Sequence, residues 1–134
     1  RSFIRRGWRC IAVTNAQRAG GQAVLDMLRA QLGDDLAGVI EDLVVGAECA
    51  HAKPHPDPYL EAMRRLGAPP ERCIVFEDSA TGVRAGVAAQ VAAVIGLRTS
   101  LSDAVLRSAG ATATVSDWSE LTEEQLDSLV GAAR

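Results

Sequence analysis

Short apolar bursts alternate with amphipathic stretches along most of the chain. The segments "CIAVT" (10–14), "DLVV" (42–45), "CIVFE" (73–77), "VAAVIGL" (91–97) and the weaker "ATATV" (111–115) are brief runs rich in Val and Ile. Strands buried on both faces read this way, and they belong to parallel sheets covered by helices. Between them lie stretches with helical spacing. Residues 22–32 place Val24, Leu25, Leu28 and Leu32 on one face, and 59–66 ends at Gly67. Residues 81–89 are small, 103–109 form a short helix, and 123–130 form an amphipathic helix with Thr122 placed to cap it. The alternation predicts an α/β fold, a Rossmann-like parallel sheet with helices on both faces, in a single domain over 1–134. No internal repeat or low-complexity stretch interrupts it.

In open sheets of this kind ligands bind beyond the carboxyl ends of the strands. Those positions hold Thr14 and Asn15 after the first strand and Glu77 and Asp78 after the third, with Lys53 in the Pro-rich loop after the second. Hydroxyl and backbone N–H groups donate to phosphate oxygens, lysine adds a point charge, and paired acids hold Mg²⁺. Together they suit phosphoryl transfer, whose catalysis is mostly positioning and electrostatic stabilisation. Each residue taken alone has a plainer reading: Thr14 caps a turn, Lys53 is a surface lysine, Glu77 and Asp78 a solvated turn. Their joint placement is what favours chemistry.

Composition narrows the classes further. The 134 residues carry a formal charge of −3 and are 48% hydrophobic. Nothing in that balance calls for nucleic acid or an anionic membrane as partner. Arg5, Arg6 and Arg9 read as a solvated helix end, and no apolar run approaches the roughly 20 residues of a membrane span. Cys10, Cys49 and Cys73 are widely spaced, form no CxxC, and read as buried, reduced thiols. His51 and His55 are four apart, but Pro54 and Pro56 oppose the helix a metal pair would need, and no third ligand is evident. Trp8 and Trp118 read as packing residues.

The motifs "AVTNA", "HAKPHPDPYLEAM" and "VFEDSATGVRAGVAA" resemble, in order and spacing, the second, third and fourth motifs of the haloacid dehalogenase (HAD) superfamily. The "ECAHAKPHPDPYL" version resembles the β-phosphoglucomutase-like branch and its plant-type sugar-phosphate phosphatases. The resemblance implies that Thr14, with Asn15 beside it, holds the transferring phosphoryl group and that Lys53 neutralises its charge. It implies Asp78 as a direct Mg²⁺ ligand and Glu77 as a direct or water-mediated one, so that a divalent cation makes the acid pair tolerable. Ser79 and Thr81 are expected to satisfy donors at the next helix start, with Gly82 and Gly86 as close-packing positions.

The chain departs from that family at its nucleophile. No Asp-x-Asp occurs in the sequence, and Asp34 and Asp35 are adjacent in a helix-to-loop stretch. The helical cap expected between the first and second motifs is missing too. "RSFIRRGWRC" reads as a helix end turning into a strand. The expectation is therefore the carboxyl-terminal portion of a Mg²⁺-dependent phosphatase of small phosphorylated metabolites, inactive by itself. It would lack the amino-terminal part of its own fold, with a gap between the strands ending at Thr14 and Glu77. Its expected location is cytoplasmic, or an organelle stroma if a transit peptide lies upstream. Other readings are a binding module without catalysis and a mutase of the same branch. A dinucleotide-binding oxidoreductase would need GxGxxG after the first strand, which "AGG" at 19–21 does not supply. A phospho-receiver domain would place its acids before its Thr and Lys.

Overall fold

The computed structural model describes residues 8–32, 40–116 and 120–131; Arg5, Arg6, Asp34, Asp35 and Trp118 lie outside them, as do the side chains of Leu28 and Leu32. The elements follow the predicted alternation. They are β1 (Cys10–Thr14), α1 (Arg18–Leu32), β2 (Ile40–Val45), α2 (Asp57–Leu66), β3 (Ile74–Glu77) and α3 (Ala80–Ala88), then β4 (Ala93–Leu97), α4 (Asp103–Ala109), β5 (Ala113–Val115) and α5 (Glu123–Gly131). Short 3₁₀ turns at Gly46–Glu48 and Pro70–Arg72 follow β2 and precede β3.

Every pairing is parallel, yet the strands form two sheets, β1 beside β2 and β3–β4–β5 with β4 central. Among the described residues β1 and β3 are not hydrogen-bonded to each other, which is the gap expected between Thr14 and Glu77.

Side chains leave each strand alternately to its two faces. Val75 and Val94 join Tyr59 and Met63 of α2, Val83 and Ala85 of α3, and Leu106 of α4 in one cluster, and Val13 of β1 packs against it. Ile74, Phe76, Ala93, Ile95 and Val115 go the other way, to Leu121 and Leu129. Leu25 of α1 covers Leu43 and Val45 of β2 together with Ala12. Helices α2, α3 and α4 therefore cover one face, and α1 and α5 the other. Burying each large aliphatic side chain contributes about 1.5–3 kcal/mol. Val13, in contact with the first cluster, joins the two sheets through packing rather than through hydrogen bonds.

Two expectations need correction. Val24 is 52% exposed while Leu25 is buried, so α1 faces the sheet on a narrower stripe than its spacing suggested. The cysteines are free but only partly buried. Element starts also differ. Helix α1 begins at Arg18, four residues earlier than expected, and its first residue pairs with Glu48, guanidinium to carboxylate at 2.7 and 2.8 Å. Strand β2 begins at Ile40 because its polar residues are held: Glu41 by Arg9, and Asp42 by Arg65. Thr122 does cap α5, as Gln125 N donates to its hydroxyl and Thr122 N donates back to the Gln125 side chain. The Trp8 indole donates to Asp127 at 3.1 Å. No helix among the described residues is long and apolar enough to cross a membrane.

Candidate active site at the strand ends

Thr14 ends β1, and its Oγ1 accepts from Ala16 N at 3.0 Å, which leaves the hydroxyl hydrogen for another acceptor. Asn15 turns its amide across the gap in sequence to residue 53. Its Oδ1 accepts from Lys53 N at 3.1 Å and its Nδ2 donates to Lys53 O at 3.3 Å. This two-way bond pins the Lys53 loop to the end of β1. The Lys53–Pro54 peptide is cis.

The Lys53 ammonium lies between the two sheets. It donates to Val13 O of β1 at 3.1 Å and to Glu77 Oε2 at the end of β3 at 2.8 Å. Its side chain is only 6% exposed. An ammonium has three donors, so one N–H is left for a ligand oxygen.

Glu77 is the buried charge of the site. Its Oε2 accepts from Lys53 and, at 2.5 Å, from the Tyr59 hydroxyl; its Oε1 accepts from Asp78 N and Ser79 Oγ, both at 3.3 Å. Burial pushes the carboxyl up, but the Lys53 charge and hydrogen bond, the Tyr59 hydroxyl and the Asp78 amide outweigh it. The group titrates below the ordinary glutamate range. Burial and the facing Glu77 carboxylate push the Tyr59 phenol far above its usual value. Room for this packing comes from Gly82, where a Cβ would lie 1.9 Å from Glu77 Cδ. Gly46 does the same for Asn15, whose Oδ1 would meet a Cβ at 2.6 Å. Ser79 caps α3 by accepting from Gly82 N at 3.0 Å.

Asp78 is exposed, and no hydrogen bond or ion pair reaches its carboxylate among the described residues. A hard cation such as Mg²⁺ wants six oxygens in octahedral array. Asp78 fits as one of them. Glu77 does not fit as a second in this arrangement, because its four lone-pair sites already meet four donors. His51 and His55 stand at the rim of the same loop, rings 4.8 Å apart, with His51 Nδ1 3.2 Å from Asp57 Oδ2. Among the described residues no group of three or more His, Cys, Asp or Glu is placed to hold a metal.

Thr14, Asn15, Lys53, Glu77 and Asp78 thus meet at one end of the two sheets, as the sequence predicts. Tyr59 was missed because its helical spacing reads as core. The available signal was chemical, since a buried tyrosine hydroxyl requires a partner.

A family model described as haloacid dehalogenase-like hydrolase matches residues 1–90. Among curated proteins, "Protein CbbY" of Rhodobacter capsulatus is 36% identical over 89 residues, 66% of this chain and 38% of that protein. "Phosphorylated carbohydrates phosphatase" of Thermotoga maritima is 39% identical over 82 residues, 60% of this chain and 38% of that one. "Beta-phosphoglucomutase" of Mycobacterium tuberculosis is 36% identical over 85 residues, covering 61% and 32%. Among solved structures, a HAD family hydrolase from Deinococcus radiodurans with bound phosphate and sodium superposes with a TM-score of 0.77 at 30% identity, covering 96% of this chain and 56% of that one. CbbY from Rhodobacter sphaeroides in complex with phosphate gives 0.74 at 30% identity, with 94% and 54% covered. The chain spans a little over a third of the first two of these curated relatives and about half of these two structures.

Proposed function

Since the chain belongs to the haloacid dehalogenase-like hydrolase family, we propose that it supplies the phosphoryl-binding and cation-facing groups of an enzyme that hydrolyses small phosphate monoesters, sugar phosphates in particular. The observation that carries this reading is the Lys53 ammonium, held by Val13 O and Glu77 with one donor to spare at the strand ends. Relatives named for phosphorylated-carbohydrate phosphatase and solved neighbours holding phosphate support it.

In this reading the Thr14 hydroxyl and the free Lys53 N–H donate to two non-bridging phosphoryl oxygens, and the lysine charge offsets their negative charge. Glu77 keeps that ammonium aimed and desolvated, which strengthens its effect at the phosphoryl group. Asp78 offers its carboxylate to Mg²⁺, which when bound neutralises phosphoryl charge. The chain has no Asp-x-Asp, so the nucleophile that would carry the phosphoryl group as an aspartyl-phosphate is drawn from a part of the parent protein outside these 134 residues.

The test is turnover by the whole protein on a panel of sugar phosphates and p-nitrophenyl phosphate. Lys53→Met is expected to lower kcat/KM by at least about a hundredfold, roughly 2.7 kcal/mol of transition-state stabilisation. Arg should rescue only in part, because it keeps the charge and misplaces it. An unchanged kcat in the Met variant would reduce Lys53 to a tie between the sheets. A mutase is the second reading, favoured by the relative of that name. It predicts phosphate moved to another hydroxyl instead of released as inorganic phosphate.

A further inference from the structure

The chain contains a single lysine and a single tyrosine, and both reach the same carboxylate oxygen. Tyr59 OH donates to Glu77 Oε2 at 2.5 Å and Lys53 Nζ donates to it at 2.8 Å. The face of the Tyr59 ring also lies against the ammonium, 5.1 Å from Nζ to centroid. Tyr59 is buried, 7% exposed, and its hydroxyl has no other partner among the described residues.

The geometry points to Tyr59 as a positioning residue for Lys53, a role that rests on the phosphoryl-binding reading above. A Glu77 carboxylate is free to turn about its last torsion unless both oxygens are held. Ser79 Oγ and Asp78 N hold Oε1, at 3.3 Å each. From the first turn of α2, next to the fully buried Pro58, Tyr59 holds Oε2 at 2.5 Å. With the carboxylate fixed, the ammonium has one direction left in which to pair with it, between Val13 O and Oε2. The ring adds a wall: quadrupole attraction holds the cation on its face where no counter-charge is present. The hydroxyl therefore fixes the acceptor, the ring fixes the approach, and the third N–H is presented at the strand ends.

The unique lysine makes the test direct. Limiting isotopic acetic anhydride is applied to the 134-residue chain, and the Lys53 peptide is quantified by mass spectrometry against the amino terminus as internal competitor. Tyr59→Phe, which keeps the ring, should raise Lys53 labelling several-fold, because a carboxylate no longer held at Oε2 by a second donor turns and leaves the ammonium unpaired for part of the time. Tyr59→Leu, which removes the ring as well, should raise it further. In a Glu77→Gln background Tyr59→Phe should add nothing, because the oxygen it orders no longer carries the charge. Wild-type labelling in a folded Tyr59→Phe chain, judged by circular dichroism, overturns the inference. Should the variants fail to fold, the unaltered chain still decides: its tyrosine hydroxyl proton should resist exchange with water and show a cross-peak to the Lys53 ε-methylene, and absence of both in the folded chain overturns it equally. Inorganic phosphate separates this inference from the function it rests on. If Tyr59→Phe speeds labelling but phosphate gives no protection to wild-type Lys53, the positioning role stands and the phosphoryl-binding role of Lys53 falls.

Discussion

A methyl group on Gly82 would lie 1.9 Å from the Glu77 carboxyl carbon and 2.1 Å from Oε2. Gly82→Ala therefore has to expel the carboxylate from its place between Lys53 and Tyr59 or push α3 away from β3. Overpacking of this kind costs about 1–3 kcal/mol, and the ammonium loses its counter-charge as well. The variant is expected to melt lower and, in the whole protein, to lose activity as severely as Lys53→Met; a variant with unaltered kcat would mean that Glu77 relaxes without disturbing the lysine. The same carboxylate gives the chain an acid-sensitive component of stability. Its pKa is lower folded than unfolded, so its contribution is complete above the unfolded value and disappears as pH falls through the folded one. Glu77→Gln should be less stable than wild type at pH 7, and the difference should shrink once the pH drops below about 4.3. Urea midpoints from pH 7 to 3 measure it, and a pH-independent difference would contradict the assignment. Thr14, Lys53, Glu77 and Asp78 are legible in the sequence because strand ends are where such a fold places its chemistry. Asn15 and Gly82 are legible too, as a strand-end amide and a close-packing position, but their partners are legible only in space: Asn15 ties down residue 53, 38 positions on, and Gly82 makes room for Glu77. Tyr59 is legible only in space altogether, since it acts on Glu77, 18 positions away.

Helix α3 shows how one element serves two purposes. It starts against the acid pair, with Ser79 accepting from Gly82 N and also donating to Glu77 Oε1. It continues over β3 and β4 through Gly86, where a Cβ would stand 3.0 Å from Val94 and 3.2 Å from Val75. Ser79→Ala removes the cap, costing about 1 kcal/mol of helix stability, and frees Oε1 at the same time. A melting temperature lowered together with a weaker Lys53–Glu77 pair is the expected result; a thermal loss with the pair unchanged would assign Ser79 to capping alone. The strands are readable because burial on both faces leaves an unbroken apolar run. The start of α1 is not, because Gly20 and Gly21 lower its helix propensity while the Arg18–Glu48 contact that supports it is not local. Polar Glu41 and Asp42 hide the start of β2 for the same reason: arginines from Arg9 and α2 make those positions tolerable.

At the scale of the whole molecule, two parallel sheets share one packed face and are tied by Val13 packing and by Lys53, without a hydrogen-bonded ladder between β1 and β3. Such edges accept a further strand readily. If the proposed phosphatase reading holds, a synthetic peptide carrying an apolar strand that ends in Asp-x-Asp is expected to bind there and raise the melting temperature with concentration. At a hundred times its Kd the gain is about 2.7 kcal/mol. A sharp transition unaffected by that peptide, in a soluble monomer, would favour a self-sufficient binding module over an incomplete phosphatase. The division into two sheets also sets a rhythm for amide hydrogen exchange. Consecutive residues of a strand turn their N–H groups to opposite sides, and β4, with β3 and β5 as neighbours, has acceptors on both. Its amides should exchange slowly in an unbroken row, while a strand with one neighbour, such as β1, should alternate slow and fast along its length. Filling the space between the sheets would then silence the fast beats of β1 and leave β4 unchanged.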